Sequence, residues 1–513
     1  MLLIKNIKVP FDRDTSAIKE AIEKTIHKKI NSFKIYKKSL DARKGIYYVY
    51  QVLIDEKVDE KIRKKLKNNI CDFSEEELIL KNKNNIKKAI IVGAGPAGLF
   101  CAYALAKTNV KVTIIERGEK IEDRLKSIEK FLKTQTLNEE SNTQFGEGGA
   151  GTFSDGKLTS RSKDKRSREI FKILVENGAP EEILYEQMPH VGTDLLRKVI
   201  INIRKKIESF GGEFVFKEKF VDLNIKDGKI ISLITDKNSY SADEYILALG
   251  NSARDTFFML NKYIDLSQKP FAVGFRIEHL QKDINLCQYK IADERLPQAS
   301  YQLNYFNKEK NISVYTFCMC PGGYVIAASS EKNRLCVNGM SFHKRDGQNA
   351  NSAIVMAIGE NVLGKDNLSG IKFQREMEEK AFNLGGGNFF APVQKLSDFF
   401  ENRVSENLGK IKPSYEPGYK FANLNEIYPQ IINDSIKIAL REFDKKIPGF
   451  ADGDVILTGI ETRTSCPIRI DRENYSTLKF KNLRPIGEGS GYSGGIISSA
   501  LDGLKCAIQI LED

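Results

Sequence analysis

A β-branched run that breaks into three closely spaced glycines and resumes as an alanine-rich segment leaves a chain few ways to fold. Residues 88–99 read Lys-Ala-Ile-Ile-Val-Gly93-Ala94-Gly95-Pro96-Ala97-Gly98-Leu. This G-x-G-x-x-G spacing predicts strand, tight turn and helix, the opening unit of a parallel, doubly wound α/β sheet. Gly93 makes the turn, Gly95 lets the backbone approach a pyrophosphate, and Gly98 lets helix and strand pack closely. An anion at such a helix N-terminus gains about 0.3–1 kcal/mol, more when partly buried. A lone glycine-rich turn is common, so the context decides. A second strand is predicted over 111–115 and ends at Glu116, roughly 20 residues beyond the loop, where a carboxylate accepts from ribose hydroxyls and repels a 2′-phosphate. Residues 89–106 carry no charge, about the minimum length for a membrane span. Gly93, Gly95, Pro96 and Gly98 inside that stretch argue for a buried core element instead.

At 513 residues, 41% hydrophobic and 29% charged, the chain suits two to four globular domains. Lys5 and Lys8 interrupt the short apolar run at the start, so no signal-peptide core is expected there, and a cytoplasmic location follows. Eight cysteines (71, 101, 287, 318, 320, 336, 466, 506) show no disulfide-framework spacing and are expected to be free thiols. The net charge of +12 is concentrated at the front, where residues 1–88 hold 22 Lys+Arg against 13 Asp+Glu. Such a bias can attract nucleic acid, although the whole chain is rich in Lys, Asn and Ile.

The expected architecture is α/β: a discontinuous Rossmann-like domain, an inserted α+β substrate domain and a small N-terminal α+β module. The module takes 1–84, with a strand at 2–9, an amphipathic helix at 15–30 striped by Ile18, Ile22, Ile26 and Ile30, strands at 32–36 and 46–54, and a charged helix at 59–67. Residues 81–88 read as a linker. The dinucleotide domain takes 85–266, with helices near 167–177 and 194–210 and strands near 213–220, 230–234 and 245–249. Strand-like pieces and Gly-rich turns mark the insertion at 267–425, and 426–513 returns to the first domain.

A second glycine-rich segment, 483–500, contains Gly487-Glu488-Gly489-Ser-Gly491-Tyr-Ser-Gly494-Gly495-Ile496. A long dinucleotide needs such a second close-approach site. The Gly487-Glu488 pair can hold a ribityl chain, and a helix starting near Gly494 would aim its N–H groups at a flavin, whose reduced form is negative near N1 and the C2 carbonyl. The cofactor expected is therefore FAD. No second G-x-G-x-x-G follows a strand, so NAD(P)H, if used, would bind only transiently.

Catalytic candidates are sparse. Cys318 and Cys320 flank Met319 above Pro321-Gly-Gly323; in an extended strand, positions i and i+2 lie about 6.6–6.8 Å apart, at the upper edge of disulfide geometry. Two thiols also fall short of a four-ligand zinc site, so packed or substrate-facing thiols are favoured over a flavin-adjacent pair. The four histidines have no metal-site spacing, and no metal is expected. His190 and Arg276 are candidates for substrate contact, and Arg463 either for an acidic substrate or for a structural ion pair.

The chain resembles the two-domain flavoproteins of the glutathione-reductase-like FAD superfamily, and more closely a bacterial family of FAD-dependent dehydrogenases. The resemblance runs from Lys88 onwards on 144–157 (QFGEGGAGTFSDGK), 317–323 (FCMCPGG), 337–341 (VNGMS), 350–353 (ANSA), 461–465 (ETRTS) and 487–495. It implies that Gly93, Gly95, Pro96, Ala97 and Gly98 touch the pyrophosphate, that Glu116 and Arg117 meet the adenosine ribose region, and that Arg124 reaches a phosphate. It also implies that the stretch through Phe145, Gly146, Gly148 and Gly149 lies along the flavin edge and that Gly250 abuts the cofactor. Residues 117–269 contain no cysteine, which excludes the C-x-x-x-x-C disulfide-reductase mechanism of that superfamily at its usual place. The expected function is oxidoreduction, a hydride passing between a small-molecule substrate and flavin N5. The alternative is an FAD-containing RNA-binding or RNA-modifying protein with the basic N-terminal module as its platform.

Overall fold

The computed structural model describes residues 1–75, 78–159, 162 and 164–512. Its centre is a five-stranded parallel sheet in the spatial order Leu483–Pro485, Glu244–Leu247, Lys88–Val92, Lys111–Glu116 and Glu213–Phe216. Lys88–Val92 is central and apolar on both faces, as a strand covered on both sides requires. Helix Pro96–Ala106 follows it, buried at every position but the first, because the sheet lies on one side and helices Ile496–Glu512 and Thr193–Ser209 on the other. Helices Pro96–Ala106 and Ile496–Glu512 approach closely. A Cβ on Gly503 would stand 2.0 Å from the Ala97 carbonyl. The uncharged run 89–106 is thus a strand, a turn and a buried helix, and among the described residues no helix is long and apolar enough to cross a membrane.

Expected strand 213–220 divides at Lys217, whose φ is +59°. Its first half, Glu213–Phe216, joins the parallel sheet, and the chain then enters a separate antiparallel meander, Phe220–Lys226, Lys229–Thr235 and Ser239–Tyr240.

The inserted region is organised by a seven-stranded sheet in the order Asn304–Asn307, Ile312–Cys320, Asn349–Ile358, Phe271–Leu280, Ile456–Glu461, Ala391–Lys395 and Tyr419–Phe421. This sheet takes in residues well past the expected boundary at 425: Ile456–Glu461 pairs with Phe271–Leu280, and helix Gln430–Asp444 packs into the same core. The parallel sheet resumes only at Leu483–Pro485. Phe271–Leu280 is buried at all ten positions, yet its two faces differ. Phe271, Val273, Phe275 and Ile277 join the apolar core, whereas Arg276 and Glu278 point the other way, beside Asn349 and Asn351 of the neighbouring strand. The polar face carries the chemistry described below.

The N-terminal module is an antiparallel sheet in the order Lys34–Asp41, Tyr47–Ile54, Leu2–Pro10 and Ile70–Asp72, with helix Ser16–Ile26 packed on it through Ile18, Ile22 and Ile26. The helix is shorter than expected because His27 adopts a left-handed cap (φ +53°); Ile30 is still buried. Edge strand Lys34–Asp41 docks on the dinucleotide domain: the Lys38 amide donates to the Tyr185 carbonyl at 2.7 Å, the Gln187 amide to the Lys38 carbonyl at 2.8 Å, and Lys38 Nζ pairs with Glu186 at 2.7 Å. Glu75 adds ion pairs to Arg168 and Lys172. The segment read as a linker is also tied down, since the Lys83 amide and the Asn84 side chain donate to Leu511 and Ile510 at the end of the last helix.

Candidate functional site

Five close approaches between segments far apart in sequence bring the glycine-rich loops together. Gly93 turns with φ +104°, and a Cβ there would stand 2.3 Å from the Ala248 carbonyl; one on Gly98 would stand 2.0 Å from the Gly93 carbonyl. Both positions are therefore closed to any side chain, as the motif predicts. Gly95, by contrast, has only the Gly149 Cα within reach, at 3.9 Å, so the helix N-terminus beside it stays open. Gly149 lies over this turn, and the Gly148 amide donates to the Ala94 carbonyl at 2.8 Å. From the distant end of the chain, Gly487 brings its Cα against Ala97, and Gly489 packs on the backbone of Gly250. Gly151 meets Ile496, the first residue of the last helix. A Cβ on Gly250 or Gly494 would meet nothing within 4 Å, so both border open space.

Glu116 is buried and knits three of these loops together. Its Oε1 accepts from the amides of Gly118 and Gly146 at 2.9 and 3.0 Å, and its Oε2 from Ala94 at 2.9 Å, leaving one acceptor position on Oε2 for a ribose hydroxyl. Arg117 is committed within the protein: its guanidinium pairs with Glu140 and Asp255 and stacks over Phe145, 4.1 Å from the ring centroid. It borders a cavity of about 350 Å³ with Glu119, Ser141 and Lys219, at the outer end of Lys111–Glu116.

Arg124 provides the test of whether an anionic cofactor fits. It is fully buried on helix Ile121–Thr134, donating through Nε to the Asn142 carbonyl at 2.8 Å and through Nη1 to the carbonyls of Glu147 and Gly149 at 2.6 and 3.0 Å. Its Nη2 has no partner. Burial, helped by the like charge of Arg197 and opposed by Glu116 and Glu147, pulls this guanidinium down to about 9, so an anion at Nη2 would restore what burial removes. The Thr152 hydroxyl, on the same glycine-rich segment, is likewise buried without a partner. These unpartnered donors, an open helix N-terminus and glycines facing empty space fit a dinucleotide pyrophosphate. Toward the other end, Glu488 accepts from Asn251 Nδ2 at 2.8 Å, and burial pushes its carboxyl up to about 7.

The glycine-rich stretch continues into a charged centre that the sequence reading passed over. Asp155 is buried; it accepts from Ser341 and pairs with Arg345 at 2.5 Å and with Lys157 at 3.3 Å. Burial opposes its charge, but Lys157 and Arg345 outweigh it and hold the carboxyl well below the usual range. Lys157 Nζ donates to the Met319 carbonyl between the two cysteines. Asp155 and Lys157 both fall inside the quoted 144–157 motif, but nothing in the sequence shows that Asp155 is buried or that Lys157 is half-buried beside it.

At Cys318 and Cys320 the extended-strand geometry does not hold. The ladder with Asn349–Ile358 slips between Phe317 and Cys320, and Cys318 takes φ +44°. This bulge turns the Cys318 carbonyl toward the second thiol, and Cys320 Sγ donates to it at 3.3 Å. The neighbouring Cys320 side chain, followed by the charges of Lys157 and Arg276, brings the Cys318 thiol down to about 5 against the effect of burial. Cys318 is half-buried and Cys320 fully buried. Alkylation of Cys318 by iodoacetamide is accordingly expected to change less than about 1.5-fold between pH 8 and pH 6. Over the same interval an ordinary thiol of pKa about 8.5 slows roughly 80-fold. Peptide mass mapping reads both, and a parallel 80-fold loss at Cys318 would contradict the assignment.

His190 lies near this centre, paired with Lys157 through a β-bridge and stacked on His343 at 5.4 Å; burial brings its ring down to about 4, so it is neutral. Arg276 is not free for substrate: fully buried, it pairs with Glu461 at 2.9 Å and also donates to Asn351 and to the Cys318 carbonyl. Its role is to hold the bulge.

Arg463 belongs elsewhere. Its guanidinium is spent on Glu378, Ser252 and Ser330, and Arg254 grips the same Glu378, which leaves no nitrogen for an acidic substrate. Of its two expected roles, the structural ion pair is the one the geometry shows. Replacing Glu378 by Gln would leave two buried arginines facing each other, at a cost of about 3–5 kcal/mol. Urea unfolding should show that loss, and a midpoint equal to wild type would contradict the assignment. Among the described residues no group of three or more His, Cys, Asp or Glu side chains is placed to hold a metal.

Comparison with known proteins agrees with this construction. Residues 270–464 match the family profile described as FAD-dependent protein, C-terminal domain-like, residues 91–130 an NAD(P)-binding Rossmann-like domain, and residues 1–55 a domain of unknown function, DUF8436. An uncharacterized protein of Clostridium beijerinckii (strain ATCC 51743 / NCIMB 8052) is 44% identical over 527 residues, covering 99% of this chain and 98% of its own. The L-aspartate oxidase of Saccharolobus solfataricus is 25% identical over 215 residues, 39% of this chain and 44% of that one. Among solved structures, glycine oxidase from Bacillus cereus ATCC 14579 aligns over 83% of this chain and 97% of that chain, at 13% identity and a TM-score of 0.37. The chain belongs with the clostridial protein to one family of FAD-dependent oxidoreductases, built on a Rossmann-like dinucleotide domain.

Proposed function

We propose that this protein passes a hydride between a small-molecule substrate and N5 of FAD held between the two glycine-rich segments. The observation that carries the reading is the convergence of the Gly93–Gly98 turn, Gly149, Gly250 and the segment 487–496, with open space beside Gly250 and Gly494. Bound FAD supplies a two-electron acceptor and donor that the side chains alone lack. The chain's own residues do the rest. The N-terminus of helix Ile496–Glu512 favours negative charge beside Gly494, and Arg124 Nη2 anchors the phosphates from within the core. Asn251 and Glu488 form a hydrogen-bonded pair that orients the ribityl end. The polar face of the seven-stranded sheet, with Lys157 beside the Cys318 bulge, closes the far side, and Lys157 and Arg345 together outnumber Asp155 and leave positive charge for a bound substrate. NAD(P)H, if it serves as donor, docks transiently on this face.

The test is anaerobic. FAD-loaded protein should lose its visible absorbance with one of a panel of L-amino acids, glycine, 2-hydroxy acids, NADH and NADPH, and recover it in air. The amino acids are included because of the aspartate oxidase match. Indifference to the whole panel, while dithionite bleaches the same sample, would overturn the reading.

A further inference from the structure

We infer that the cavity between the N-terminal module and the dinucleotide domain is a binding site for a small carboxylate with a planar, single-ring apolar body. This site is separate from the glycine-rich cleft, and the inference stands whether or not that cleft holds FAD. The cavity measures about 260 Å³ and is closed on one side by edge strand Lys34–Asp41 of the module, through Tyr36 and Lys37. Its floor is apolar: Leu158, Ile183, Pro189 and Ile497 are buried, and Phe171 of helix Ser167–Glu176 stands beside them. A cavity of about 150 Å³ lined by Leu, Ile and Phe takes up benzene. The larger volume here admits one ring and a few atoms more.

The polar groups on the lining select the charge. Lys37 has no ion-pair partner among the described residues. Arg168 lies over the Tyr36 ring, 4.5 Å from its centroid, and shares Glu75 with Lys172. Glu186, the one carboxylate on the described lining, is neutralised by Lys38 at 2.7 Å. The Ser167 hydroxyl, also on the lining, is buried without a partner. Burying a hydroxyl with no hydrogen bond is unfavourable, and a carboxylate oxygen would accept from it while its charge meets Lys37.

The floor is also the reverse side of the charged centre. The Leu158 amide donates to the Pro189 carbonyl at 2.9 Å and the Val191 amide to the Gly156 carbonyl at 3.0 Å. Between these two bonds Lys157 and His190 stand opposite each other. Side chains alternate along paired extended segments. Leu158 and Pro189 therefore face the cavity, while Lys157 turns to Asp155 and His190 to the His343 carbonyl. An occupant of the cavity stiffens this ladder from behind without entering the centre.

Benzoate is the probe, with benzamide as its uncharged counterpart, on the full-length protein in excess FAD. A ligand-observed NMR titration should give saturable benzoate binding with a Kd of roughly 1 mM or tighter, as nine non-hydrogen atoms allow. Benzamide should bind wild type, and benzoate the Lys37→Met variant, about 10-fold more weakly or worse. Ser167→Ala should lose about 3- to 10-fold, and Lys37→Arg should stay within about threefold of wild type. With benzoate bound, hydrogen exchange should slow over 34–38 and 183–191. No saturable binding up to about 10 mM, equal affinity for benzamide, or affinity unchanged by Lys37→Met would overturn the site. So would protection over 341–345 with none over 34–38, which would place benzoate at the charged centre. None of these outcomes bears on FAD binding, which the cofactor's own absorbance reports.

Discussion

Gly98→Val is expected to yield protein that retains no FAD and unfolds at clearly lower denaturant concentration. The Cβ would stand 2.0 Å from the Gly93 carbonyl and 3.3 Å from Ile91 Cγ2, so strand and helix must separate at the point where the pyrophosphate is to be held. Overpacking of this kind costs about 1–3 kcal/mol when side chains can yield, and more when the obstacle is backbone. Visible absorbance per chain after gel filtration in excess FAD is the measure. The matched control is Gly359→Ala, whose nearest neighbour would be Pro270 Cγ at 3.6 Å; it should bind FAD as wild type does and stay within about 0.5 kcal/mol in stability. Full flavin content in the Gly98 variant would show that close helix–strand packing is not what the cofactor needs.

Arg124→Met is expected to weaken FAD binding by roughly 10- to 100-fold, the value of a hydrogen bond to a charged group of about 1.5–3 kcal/mol. The guanidinium also holds the carbonyls of Asn142, Glu147 and Gly149, so the variant will be less stable, and a loss of affinity alone would be ambiguous. Riboflavin separates the two effects, since it carries the ring and ribityl chain without phosphate. Phosphate recognition through Nη2 predicts that riboflavin affinity stays within about twofold while FAD affinity falls. Equal losses for both ligands, measured by fluorescence quenching, would mean that Arg124 only supports the loop.

What was legible in the sequence follows from where the constraint resides. Gly98 is dictated by a backbone contact within its own strand–turn–helix unit, against the Gly93 carbonyl, and Gly93 by the positive φ of its turn, and such local demands leave a glycine in the sequence whatever surrounds them. The same holds for the isoleucine stripe of helix Ser16–Ile26, whose period is local. Features set by tertiary partners were not legible. The bulge at Cys318 arises from its register against Asn349–Ile358, which an argument from ideal strand spacing does not foresee. Arg463 and Arg276 looked available for substrate because their partners, Glu378 and Glu461, lie 85 and 185 residues away. Helix Gln430–Asp444 followed by strand Ile456–Glu461 repeats the helix–strand rhythm of the first domain, which is why the return was placed at 426; pairing with Phe271–Leu280 assigns both to the second sheet. The basic N-terminal module, the platform in the alternative RNA-binding reading, places edge strand Lys34–Asp41 against the dinucleotide domain.

Hydrogen–deuterium exchange of the apoprotein against the FAD-loaded protein addresses the cleft itself. One extended ligand bridging both glycine-rich segments should slow exchange together over 94–99 and 487–499, with helix Gln430–Asp444 unchanged as an internal reference. Protection confined to one of the two segments, or none in either at saturating FAD, would contradict the shared cleft.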